Sequence, residues 1–157
     1  MKGIISILMF LLITSFNSSC QDMNLYLLPN EEIIFSFNTT NGKRMVLAKD
    51  KNDGYIIYRF GTEEKIELEF PGKTKDSWKQ FTYYFYLRGG GQVNAAIDIN
   101  YVYLSIDKYK YTIYDSYSSG DDKSECGIEL KHKDSEKVST INGDIKTVKG
   151  SLVKLRD

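Results

Sequence analysis

Along Lys65-Ile66-Glu67-Leu68-Glu69-Phe70 apolar and charged residues alternate strictly, which puts Ile66, Leu68 and Phe70 on one face of a β-strand and three charges on the other. Residues 81–87 alternate too, but both faces are aromatic: Phe81, Tyr83, Phe85 and Leu87 lie on one side, Thr82, Tyr84 and Tyr86 on the other. Residues 32–37, 44–48, 55–60, 109–114 and 127–131 carry the β-branched and aromatic bias of strands. Between residues 97 and 106 the apolar parity switches, Ile97 and Ile99 against Val102, Leu104 and Ile106, which predicts a bulge or bend near Asn100-Tyr101. Asn41-Gly42, Asn52-Asp53-Gly54 and Asn142-Gly143 supply the positive φ angles of tight hairpins, while Pro71-Gly72, Gly89-Gly90-Gly91 and Ser118-Ser119-Gly120-Asp121-Asp122 mark longer loops. Only residues 22–28 and 151–155 leave a short helical reading open. The pattern predicts an all-β fold, a single antiparallel β-sandwich or small closed barrel of about eight strands.

The first twenty residues follow a different rule. Lys2 precedes an apolar run from Ile4 to Ile13 broken only by Ser6, and small polar residues follow. That order is a secretory signal peptide, too short to span a bilayer, which needs ~20 apolar residues. Residues 1–19 are therefore expected to be removed, 20–30 to form an N-terminal tether, and 31–157 to form one β domain. Ser18-Ser19-Cys20 resembles the lipobox of bacterial lipoproteins, with Asn17 in place of the usual aliphatic residue. The resemblance implies lipidation at Cys20 and a membrane-anchored envelope lipoprotein. Ordinary cleavage, a soluble periplasmic or secreted protein and a Cys20–Cys126 disulfide form the alternative.

Composition narrows the chemistry. The 157 residues hold 21 basic and 21 acidic side chains, one His and two Cys. Balanced charge argues against a nucleic-acid partner, and so few His and Cys leave little for a metal site, a cofactor or a nucleophilic triad. His132 sits in a solvated charge cluster, Lys131-His132-Lys133-Asp134. Asp50-Lys51-Asn52-Asp53-Gly54 falls one residue short of a calcium-loop pattern and reads as a polar turn. Glu67 and Glu69 share a strand face, at a spacing compatible with glycoside hydrolysis but ordinary for a solvated strand. No catalytic or metal-ligating residue is assigned. Nine of the twelve Tyr fall between Tyr83 and Tyr117, too many to face one core. The expected binding residues are Tyr84, Tyr86, Tyr101 and Tyr103, with Arg88, Gly89, Gly90 and Gly91 as a loop whose glycines call for unusual φ angles.

Tyr58-Arg59-Phe60-Gly61, Ile66-Glu67-Leu68-Glu69-Phe70-Pro71 and Arg88-Gly89-Gly90-Gly91, followed by the Tyr-Thr-Ile-Tyr and Gly-Ile-Glu-Leu strands, resemble small secreted bacterial β-proteins of uncharacterised function. The likeness covers most of residues 43–155 and implies an envelope location and a β fold, with no catalytic residue to carry over. At the level of fold the chain is also similar to the membrane-bound inhibitors of c-type lysozyme. Their S-G-x-x-Y and Y-x-x-x-T-K-G motifs are missing: Ser119-Gly120-Asp121-Asp122-Lys123 lacks the Tyr, and Val148 interrupts Thr147-Val148-Lys149-Gly150. The expected function is a non-catalytic binding protein for an envelope protein or glycan, of inhibitor or immunity type. An enzyme acting on cell-wall or polysaccharide substrates through Asp or Glu is the alternative.

Overall fold

The computed structural model describes residues 23–156. The signal segment and Cys20 lie outside the described residues. Strands β1 (Glu31–Asn38), β2 (Arg44–Asp50), β3 (Ile56–Gly61) and β4 (Ile66–Phe70) run as an antiparallel meander. The last strand, β10 (Lys149–Gly150), returns to the free edge of β1 and completes a five-stranded sheet of order β10-β1-β2-β3-β4. A second five-stranded meander contains β5 (Phe81–Arg88), β6 (Ile97–Ile106), β7 (Tyr109–Ser118), β8 (Lys123–His132) and β9 (Val138–Asn142). The fold is all-β, with ten strands instead of about eight; the periodicity does not announce β9 and β10. The sheets do not close into a barrel among the described residues.

One apolar cluster draws on both sheets: Phe35, Phe37, Met45, Leu47, Ile56 and Tyr58 from the first, Val102, Leu104, Ile113 and Ile128 from the second, with Leu152 beside them. The first sheet is buried on its outer side as well, where Val46, Ala48, Tyr55 and Ile57 meet Tyr26 of the short helix α1 (Met23–Tyr26). Coverage on both sides explains why β2 and β3 read as unbroken apolar runs. Of the expected tether, Tyr26 and Leu27 are thus packed on the first sheet, Tyr26 being 1% exposed.

That outer layer is fastened by a buried ion pair. Arg59 Nη1 and Nη2 donate to the two carboxylate oxygens of Glu31 at 2.6 and 2.8 Å. Nη1 also reaches the Tyr26 carbonyl at 2.9 Å, and Nε donates to Glu69 at 2.6 Å. Tyr55 Oη and the Leu28 N–H donate to Glu31 in turn.

Three expectations of local geometry are corrected. Between β3 and β4 the register slips where Glu67 is extra, so Ile66 joins the outer cluster while Leu68 and Phe70 pack in the shared core; the three do not share one face. No bulge occurs near Asn100-Tyr101, since β6 pairs with β5 and β7 without interruption. The irregularity lies in β1, where Ile33 packs outward and Ile34 and Phe35 both pack inward. Asn142-Gly143 is not a hairpin either: it ends β9 and bridges Thr39, and a Cβ on Gly143 would lie 2.5 Å from Cys126 Sγ.

Candidate binding surface

The unbroken register of β6 gives the parity switch its meaning. Val102 and Leu104 point into the core, so Ile97, Ile99, Tyr101 and Tyr103 share the opposite, outward face. Tyr84 of β5 stands directly across from Tyr101, and Tyr86 across from Ile99. The Tyr84 and Tyr101 rings are stacked at 6.5 Å and 24°, and Tyr101 and Tyr103 at 5.9 Å and 18°. Lys110 Nζ sits over the Tyr103 ring, 4.3 Å from its centroid. On the same strand as Lys110, Tyr114 faces Tyr101 and itself faces Gly127 of β8. Tyr114 lies across that glycine: a Cβ there would be 2.6 Å from Tyr114 Oη.

The four tyrosines expected from the sequence, Tyr84, Tyr86, Tyr101 and Tyr103, thus share one face. Tyr114, one of the tyrosines too many for a single core, joins them without having been singled out as a binding residue; sequence reasoning missed Lys110, Ile97 and Ile99, and the parity switch is the signal for the two isoleucines. Burial, then the neighbouring Tyr101 and Glu129, push the Tyr103 phenol above its ordinary value; burial, then Glu125, do the same for Tyr114. Both remain hydroxyl donors at neutral pH. Beside Tyr101 and Tyr103, a shallow depression of about 370 Å³ is lined by Lys110, Glu129 and Lys131. The face therefore offers apolar ring area together with hydroxyls and charges of both signs.

The loop after β5 is built differently from expectation. None of Gly89, Gly90 and Gly91 has a left-handed φ. Arg88 Nε donates to the Ala95 carbonyl at 3.2 Å, the Gly91 N–H to the Asn94 carbonyl at 2.9 Å, and the Ala96 N–H to Ser119 Oγ at 2.8 Å. Arg88 holds its own loop, at the end of β5 opposite Ile97, and the loop borders the tyrosine face.

The acid and base candidates are occupied elsewhere. Glu67 pairs with Lys43 at 2.5 Å, and Glu69 with Arg59 and Lys73. His132 Nδ1 accepts the Asp134 N–H at 3.2 Å, and its ring meets Tyr109 edge-on at 5.0 Å. A cleft at the inward end of β6 and β7 contains Asp98, Asn100 and Asp115. There Arg156 donates to Asp98, to Asn100 at 2.7 Å and to Tyr83 Oη at 3.2 Å. Burial pushes Asp115 above the usual carboxylate range, against hydrogen bonds from Ser151 and the Leu152 N–H. Among the described residues no group of His, Cys, Asp and Glu is placed to hold a metal ion, and no helix is long and apolar enough to cross a membrane. Cys126 is buried and carries no disulfide among the described residues. Comparison with protein-family models, curated proteins and solved structures finds no significant match.

Proposed function

We propose that this protein is a non-catalytic binding domain of the bacterial cell envelope, and that an envelope protein or glycan lies on the outward face of the second sheet. The carrying observation is the row Tyr84, Tyr101, Tyr103, flanked on β7 by Lys110 over Tyr103 and by Tyr114 across from Tyr101. Tyrosine brings a large apolar body, a polar tip and little rotamer entropy, and suits protein contacts and sugar stacking alike. Two sheets sharing one cluster support reading the scaffold as a β-sandwich, whose covered first sheet leaves the second sheet's outer face as the open one. Residues 1–19 direct export, and lipid on Cys20 anchors the chain three residues before α1.

Affinity capture from envelope extract tests the reading, with Tyr101→Ala and Tyr103→Ala as controls. Each is expected to weaken capture at least tenfold while the domain stays folded. Unchanged capture by both would remove the surface. A polysaccharide-acting enzyme is the second reading, favoured only by the raised carboxyl of Asp115 in its cleft. Polysaccharide cleavage lost in Asp115→Asn, at unchanged stability, would put that reading first.

A further inference from the structure

Strand β5 is the edge of the second sheet. Among the described residues its backbone bonds to β6 and, at the Phe81 N–H, to the Trp78 carbonyl. In an antiparallel pair every second residue turns its N–H and C=O away from the neighbour, so an edge strand presents a row of open donors and acceptors. Folded proteins blunt such rows with charges, bulges or short strands, and the other three edges here follow that rule. Strand β4 carries Glu67, Glu69 and a bulge, β9 has five residues, and β10 has two. Strand β5 has none of these devices. It runs eight residues in unbroken register, with no proline and no charge before Arg88.

Its side chains are as unusual as its backbone. Tyr84, Phe85, Tyr86 and Leu87 are consecutive and are 57%, 42%, 45% and 59% exposed. Consecutive residues point to opposite faces, so this edge presents apolar side chains on both, Tyr84 and Tyr86 on one and Phe85 and Leu87 on the other, where the Arg156 guanidinium lies 4.7 Å from the Phe85 ring centroid. A strand that pairs here must itself be apolar on both faces and uncharged over most of its length. Strand β5 meets that description, and it is self-complementary when reversed. With Phe85 opposite its own copy, Tyr84 meets Tyr86, Tyr83 meets Leu87 and Arg88 meets Thr82, so no like charges of the two β5 strands face each other, and the Arg156 over each Phe85 ring is paired with Asp98 of its own chain. The Tyr84–Tyr86 pairing repeats across the axis the aromatic contact that Tyr84 makes with Tyr101 on its other side.

We propose that β5 pairs antiparallel with β5 of a second copy of this chain about a two-fold axis centred on Phe85, joining two five-stranded sheets into one. The pairing is isologous and closes at two copies, so it leaves no further open β5 edge. It also joins the tyrosine faces of the two copies, with Tyr84 and Tyr86 at the centre and Tyr101 and Tyr103 on either side.

Sedimentation of the chain from residue 20, carrying Cys20→Ser to exclude lipid and an intermolecular disulfide, tests this directly. A concentration-dependent dimer is expected. Phe85→Lys, or Leu87→Lys where the first variant folds poorly, should raise its dissociation constant at least tenfold, and Val138→Lys on the opposite edge should leave it unchanged. Phe85→Cys should cross-link two copies under mild oxidation. A chain that stays monomeric up to ~1 mM, a dimer indifferent to both lysine variants at β5, or a copurifying segment of another protein on that edge would overturn the proposal.

Discussion

The Arg59 guanidinium grips the Glu31 carboxylate with two parallel bonds of 2.6 and 2.8 Å, in a place where the side chains are 1% and 0% exposed. Ordinary surface pairs contribute little, but removing one member of a buried pair strands the other without water or counter-charge. Arg59→Met should therefore lose about 3–5 kcal/mol of unfolding free energy. The double variant Arg59→Met with Glu31→Leu should lose less than Arg59→Met alone. Urea unfolding followed by circular dichroism measures both.

Acid should loosen the same layer. Burial alone would raise the Glu31 pKa, but Arg59, the Leu28 N–H and Tyr55 hold it below its ordinary value of 4.5. Glu69 shifts the same way: burial is overcome by Arg59 and Lys73. The unfolded chain then takes up these protons first, so the stabilisation is complete above the ordinary value and is lost as pH falls toward the native one. Asp115 works oppositely: its raised pKa means that the native state holds a proton the unfolded state lacks, so it gains stability as pH falls. Urea midpoints between pH 7 and pH 3 should fall in the parent, fall more steeply in Asp115→Asn, and flatten in Glu31→Gln.

Tyr114 and Gly127 form a matched pair, the ring occupying the space that a Cβ would take 2.6 Å from its hydroxyl and 2.7 Å from the Ile141 carbonyl. Gly127→Val should cost about 1–3 kcal/mol as an overpacked site. It should also shift the near-ultraviolet circular dichroism of the tyrosine face and reduce ligand capture. A melting temperature within error of the parent would contradict the packing.

Burial pushes the Cys126 thiol up to about 12, with Asp115 and Asp144 adding to the shift. In a Cys20→Ser background a disulfide reagent at pH 8 should find no reactive thiol in the folded protein and one per chain in denaturant. Fast reaction in the native state would show that the site opens.

The strands most visible in the sequence are those with local signatures, such as 81–87, whose alternation survives in the structure with Phe81 and Tyr83 packed against the core. The expected tyrosines came together for the same reason. What stayed hidden depends on partners distant in sequence. Arg59 looked like one more charge in a strand, and only the N-terminal segment folding over it makes it a buried cation. Tyr114 became part of the face through a glycine thirteen residues later on the next strand. The parity switch at Ile97 and Ile99 predicts a bend only because an outward apolar residue has no local explanation; the unbroken register places both on the outer face. Strand β10 has two residues and no period at all, so only its pairing defines it.

That pairing ties the two ends of the domain together. Strand β10 binds β1 through Phe35–Gly150 and Ser36–Lys149, and Gly150 adopts φ 78°, with the Ile34 carbonyl where a Cβ would stand. The free edge of the first strand is thus covered by residues far away in the chain. The first sheet is therefore complete only with residues 149–150 in place, and without them β1 would be left as a bare edge of open donors and acceptors.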